Sequence, residues 1–279
     1  MLENNFIIAL LLTLFAGLAT GVGGAIIMFV KKFNTRFLAL SLGFSAGVMI
    51  LVSFVELFTE ARTSLSENFG EKLGLLYTFL AFFGGMGLIA IIDILVPSRE
   101  NPHEINSMTV KIHQQANNKN ITQEETNKQN AKLIRLGIMS SIVIAIHNFP
   151  EGMATFISAM DNIELGISIA FAIALHNIPE GIAIAIPIYY ATKKRKKAVL
   201  NATLSGIAEP LGGVLGYFLL MQFFSNSLLG IILATIAGIM VYISLDELLP
   251  TAENYGEHHA AIIGVVSGMA FMGLGLLLF

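Results

Sequence analysis

A chain of 279 residues with 55% hydrophobic and 13% charged side chains has too little polar surface for a water-soluble globule, in which about a quarter of residues are charged. Mean hydropathy is +0.74, so lipid is the expected solvent. The formal net charge of -3 decides little, but the absence of cysteine excludes disulfide frameworks and thiolate metal sites and leaves the redox compartment open.

The first apolar run follows Glu3 and has no basic residue before Lys31. A cleavable signal peptide begins with positive charge, so this run is expected to be a retained transmembrane helix. Further runs long enough to cross roughly 30 Å of hydrocarbon follow in order. Eight spans are expected, at about 6–30, 37–60, 74–96, 133–160, 163–190, 198–222, 228–250 and 259–279. The fold class is therefore an all-α membrane protein, with residues 1–279 forming a single transmembrane domain. Its long connection is a polar loop at about 97–132, rich in Asn and Gln and too poor in apolar residues to fold alone. The fourth and fifth spans meet at Asp161-Asn162 as a tight antiparallel hairpin.

With an external N-terminus, the internal loops collect every Lys and Arg except Arg62 and Lys72. The positive-inside bias thus places both termini outside and the 97–132 loop in the cytoplasm. Lys193 to Lys197 then anchor the chain at anionic headgroups, and nucleic acid is not an expected partner. Gly47-Val48-Met49 with Ser53, Glu56 and Leu57 is repeated by Gly238-Ile239-Met240 with Ser244, Glu247 and Leu248. These segments run in opposite directions through the membrane. That suggests an inverted repeat relating helices 1–3 and 6–8, as in secondary transporters.

The fourth span carries His147-Asn148-Phe149-Pro150-Glu151-Gly152, and the fifth carries His176-Asn177-Ile178-Pro179-Glu180-Gly181. Glu209-Pro210 lies on the sixth. An acidic side chain at the centre of a membrane helix costs about 2.5–3.5 kcal/mol, so three uncompensated glutamates cost on the order of 8–10 kcal/mol. No Lys or Arg lies between Leu136 and Thr192 or after Ala198. The counter-charge must be a bound cation or protons.

Residues three and four apart share a helix face, so His147 and Asn148 both neighbour Glu151, and His176 and Asn177 both neighbour Glu180. The two histidines are equally far from the hairpin turn, about 21 Å by helix rise, and share one membrane depth. Pro150 and Pro179 are expected to kink their helices and free carbonyl oxygens, while Gly152 and Gly181 permit close contact. A single buried histidine would read as a core residue; duplication beside unpaired glutamates favours ligation. Imidazole, carboxylate and amide oxygen suit Zn²⁺, Fe²⁺, Mn²⁺ or Co²⁺ better than Ca²⁺ or Mg²⁺.

Other positions have two readings. Met49 is either soft ligand or packing. Glu56 and Glu60 could line an entrance route or be capping charges. Asp93, Glu247, His258 and His259 could receive a departing ion or be solvated helix ends.

The paired HNFPEG and HNIPEG motifs, with SGIAEP on the next helix, resemble the ZIP family of divalent-metal transporters over nearly the whole chain. Two motif histidines resemble its bacterial ZupT-type branch. The resemblance implies a binuclear site. One metal would be held by His147, Glu151, His176 and Glu180 with Met49 nearby, and the other by Asn148, Glu151, Asn177, Glu180 and Glu209. It also implies import, a bacterial inner-membrane location and a homodimer, while the mixed His, Glu and Asn ligands without Cys predict broad acceptance of Zn²⁺, Fe²⁺, Mn²⁺, Co²⁺ and Cd²⁺. Helices 1, 4, 5 and 6 would move against 2, 3, 7 and 8. The loop has only His103 and His113, which argues against a histidine-rich metal sensor. No catalytic residue or catalytic cofactor is expected: neither Glu-x-x-His nor HExxH occurs, and the metal is cargo. A metal-selective channel remains the alternative to a carrier.

Overall fold

The computed structural model describes residues 2–29, 34–95, 123–220 and 225–277. In chain order the helices are α1 (Leu2–Ile26), α2 (Thr35–Val52), α3 (Phe58–Phe69), α4 (Glu71–Leu95), α5 (Gln123–Asp161) and α6 (Ile163–Thr192). They are followed by α7 (Arg195–Gly206), α8 (Ala208–Leu220), α9 (Asn226–Ile243), α10 (Leu249–Asn254) and α11 (His258–Gly275). Among the described residues there is no strand.

Among the described residues, seven stretches are long and apolar enough to cross a membrane: Asn5–Ile26, Thr35–Phe69, Glu71–Ile92, Ile163–Thr192, Arg195–Leu219, Asn226–Glu253 and His258–Gly275. The remaining long helix, α5, has 39 residues and carries His147, Asn148 and Glu151. It begins at Gln123, well before the expected edge at 133. The rest of the expected loop, with His103 and His113, lies outside the described residues.

Local signals explain several boundaries. Asn34 accepts from the Phe37 N–H at 3.1 Å to start α2, and Ser225 accepts from Leu228 at 3.2 Å to start α9. Asn162 accepts from Glu164 at 2.8 Å and Leu165 at 3.4 Å, which fixes the turn between α5 and α6 where the sequence puts it. Lys193, left-handed at φ 56°, ends α6. Beside it the Lys193 ammonium lies 5.0 Å from the Tyr190 ring and the Arg195 guanidinium 5.5 Å from the Tyr189 ring.

Helices α5 and α6 run through Pro150 and Pro179 unbroken. A proline removes one N–H, and helices packed on several sides tolerate that loss. The irregularities lie elsewhere. Two π-helical segments, Ser53–Leu57 and Ser244–Leu248, join α2 to α3 and α9 to α10. In each, the first serine donates to the carbonyl four residues back, Ser53 to Met49 and Ser244 to Met240, both at 2.7 Å. A single non-helical residue, Ile207, separates α7 from α8 just before Glu209.

Two groups of helices share the bundle. Helices α1, α5, α6, α7 and α8 pack on one another, and α2, α3, α4, α9, α10 and α11 form the second group. The main contact between the groups is α2 against α6. Glycine lets backbones touch within each group. A Cβ on Gly47 would stand 2.1 Å from the Val265 carbonyl oxygen of α11, and one on Gly238 would stand 1.9 Å from the Phe82 carbonyl oxygen of α4. Gly17 of α1 and Gly206 of α7 abut reciprocally, each against the other's carbonyl.

Candidate metal centre

Seven polar side chains meet where α5, α6 and α8 converge: His147, Asn148, Glu151, His176, Asn177, Glu180 and Glu209. None is more than 2% exposed. The faces of α5 and α6 present them inward because the hairpin at Asp161-Asn162 matches their depths and the motif glycines bring the backbones together. A Cβ on Gly152 would lie 2.0 Å from the Glu209 carbonyl oxygen, and one on Gly181 would lie 1.9 Å from that of Thr20. The expectation of close contact at both glycines holds.

The side chains join crosswise. His147 Nε2 lies 3.4 Å from Glu180 Oε2, and His176 Nε2 lies 3.3 Å from Glu151 Oε1. Each imidazole therefore faces the carboxylate of the other motif. Asn177 Nδ2 donates to Glu209 Oε1 and, at 3.0 Å, to the Ala16 carbonyl. Asn148 Nδ2 donates to the Ser205 carbonyl at 3.5 Å. From the second helical group, Ser45 Oγ donates to the His176 carbonyl at 3.1 Å.

Much of the cluster's bonding capacity is unused. His147 Nδ1 and Nε2, Asn148 Oδ1, Glu151 Oε1, His176 Nδ1, Asn177 Oδ1, both Glu180 oxygens and Glu209 Oε2 are buried without a hydrogen bond. Such atoms are costly in a low-dielectric interior. Nearly all are acceptors, the inventory a divalent cation could use. Among the described residues, no three His, Asp or Glu side chains already form a closed metal-holding cluster. The crossed imidazole–carboxylate contacts would have to open to admit an ion.

The remaining candidates divide by position. Met49 is fully buried in the apolar core, one helical turn from Ser45. Glu56 and Glu60 are half-buried, with Glu56 close to Ser168 and Glu60 within electrostatic reach of Glu56, Glu67 and Asp161. Burial raises the Asp161 carboxyl above its ordinary value. Glu247 is half-buried and near enough to act electrostatically on His147. His258 is exposed and contacts Glu253 at 2.9 Å, with the His259 ring beside it at 5.5 Å. These two histidines are not part of the central cluster. The Asp93 side chain lies outside what is described. Sequence reading missed α1 and α2, whose Ala16 carbonyl and Ser45 hydroxyl hold the α6 motif. Nothing in either residue type advertises such a role.

Membrane-length helices gathered around buried imidazole, carboxylate and amide groups define an integral membrane protein with a polar centre. A family model described as ZIP Zinc transporter matches residues 5–275, and the chain belongs to that family, one of transporters and not enzymes. It is 54% identical over 278 residues to "Zinc transporter ZupT" of Chlorobium chlorochromatii, with 100% of each chain covered. Proteins of the same name from Clostridium perfringens and Streptococcus mutans are each 52% identical. The first match covers 99% of this chain and 97% of the relative; the second covers both completely.

Proposed function

We propose that the protein carries divalent transition metals, Zn²⁺ first, across a bacterial cytoplasmic membrane into the cell by alternating access. The buried, unpartnered lone pairs of the two motifs carry this reading. Carboxylates and imidazoles without Lys or Arg nearby require cationic cargo or protons, and mixed nitrogen and oxygen donors suit borderline divalent ions. His147, Glu151, His176 and Glu180 would hold one ion, with Met49 nearby. Asn148, Asn177 and Glu209 would hold a second, sharing both glutamates. Full-length relatives named as zinc transporters support zinc as the first cargo.

Eight spans complete the proposed topology, with α5 as the fourth, both termini external and the segment at about 97–132 cytoplasmic. An inverted repeat is supported by matched contacts. The π segments begin at Ser53 and Ser244, equivalent positions of the repeated sequence. Gly47 meets α11 as Gly238 meets α4. The two helical groups correspond to the mobile and fixed halves of an alternating-access carrier. Glu56 and Glu60 would line the outer route, and Asp93, Glu247, His258 and His259 the inner one. A homodimer in the bilayer is the proposed assembly.

Counterflow in proteoliposomes tests the carrier. Vesicles preloaded with unlabelled Zn²⁺ should transiently accumulate labelled Zn²⁺ above equilibrium. Simple equilibration without overshoot would favour a metal-selective channel.

A further inference from the structure

Thr20 of α1 is fully buried, and its hydroxyl has no hydrogen-bond partner. Other described threonines behave differently. The helical threonines Thr13, Thr78, Thr155, Thr192, Thr203 and Thr235 each donate to the carbonyl four residues back. For Thr20 that acceptor is Ala16, whose carbonyl already accepts from the Asn177 side chain. A motif residue thus occupies the position the Thr20 hydroxyl would ordinarily use.

The setting of Thr20 follows from a register repeated between α1 and the α7–α8 pair. Gly17 and Gly206 abut reciprocally. Three residues on, the Thr20 carbonyl touches Gly181 just after Glu180, and the Glu209 carbonyl touches Gly152 just after Glu151. Another three residues on, Gly23 meets the Ile178 carbonyl and Gly212 meets the Phe149 carbonyl. The amides agree, since Asn177 donates to Ala16 and Asn148 donates to Ser205. Thr20 therefore stands in α1 where Glu209 stands in α8. Glu209 bonds Asn177, and the same relation sets Thr20 towards Asn148, whose Oδ1 is likewise buried without a partner.

We propose that Thr20 is a further residue of the metal site, its hydroxyl oxygen a neutral ligand on the Asn148 side, opposite the Glu209 carboxylate. This rests on the two-position reading above. A hydroxyl in place of a carboxylate leaves the Asn148 side with one less negative charge. The ion is then held more loosely there, which favours release and reduces affinity for oxygen-preferring ions.

Thr20→Val keeps the shape and removes the hydroxyl, while Thr20→Ser keeps the hydroxyl. Zinc uptake into proteoliposomes, with Mn²⁺ as competitor, should show an apparent KM for Thr20→Val raised on the order of tenfold, with weaker Mn²⁺ competition. Its maximal rate and melting temperature should stay near wild type, and Thr20→Ser should restore both KM and competition. A Thr20→Val protein with wild-type KM and wild-type Mn²⁺ competition overturns the assignment. So does equal impairment of both variants with a lowered melting temperature, which identifies Thr20 as packing only. Glu151→Ala run in parallel separates the two levels. Wild-type uptake by that variant defeats the two-position reading itself, whereas its inactivity beside an unaffected Thr20→Val defeats only the role of Thr20.

Discussion

Glu151 and Glu180 each face the imidazole of the opposite motif, and each is shared between the two proposed ion positions. Removing either carboxylate should therefore abolish metal uptake. Expression should survive, because loss of a buried charge also removes an insertion cost of about 2.5–3.5 kcal/mol. Zinc flux by purified Glu151→Ala or Glu180→Ala in proteoliposomes is the measurement, and wild-type flux would refute bridging. Glu209→Ala should instead weaken uptake, since the histidine-bearing position keeps its ligands. Acid should act in the same direction. Metal binding needs deprotonated Glu and neutral imidazole, so protons compete as pH falls. Zinc affinity should therefore fall as the medium is acidified. Titration calorimetry showing flat affinity from about pH 7.5 to 5 would remove the histidines from the ligand set.

Among the helices, glycine decides which backbones touch. A methyl group at Gly238 or Gly47 has nowhere to go, because the facing atom is a backbone carbonyl that cannot rotate aside. Overpacking of this kind costs about 1–3 kcal/mol or more. Gly238→Ala and Gly47→Ala should lower the melting temperature of the detergent-solubilised protein, while Gly84→Ala, with open space around its Cβ, should not. Equal melting of all three would show that the contacts relax at no cost. The π segments belong to this scale too. Each widens one helical turn at a serine that bonds back to a methionine carbonyl, beside the half-buried Glu56 or Glu247. Such a turn is a natural place for a helix to change pitch.

Across the whole molecule, ligand type sets what is carried. Histidine, glutamate and asparagine without cysteine would make a borderline site whose affinities follow the general divalent order without favouring one transition metal. Excess Fe²⁺, Mn²⁺, Co²⁺ or Cd²⁺ should depress uptake of radioactive Zn²⁺, and Mg²⁺ and Ca²⁺ should not. Zinc uptake unmoved by all four transition metals would point to a specialised zinc carrier.

By itself the sequence determined the solvent, the class and most of the centre. Hydropathy and the scarcity of charge require lipid, because a chain so apolar cannot cover itself in water. Helical spacing puts His147 and Asn148 on the face of Glu151, and a hairpin at Asp161-Asn162 brings the second motif to the same depth. Those are local or near-local facts, set by 3.6 residues per turn. Which groups actually meet was not local. Spacing suggested that each glutamate sits with the histidine of its own helix, whereas the packed helices join His147 to Glu180 and His176 to Glu151. The unbroken course through Pro150 and Pro179 and the two π segments likewise depend on neighbouring helices. Only the tertiary structure brought α1 into the centre. The rotation of a helix about its axis is fixed by close backbone contacts such as Gly17 with Gly206. That rotation decides whether Ala16 and Thr20 face lipid or the paired motifs.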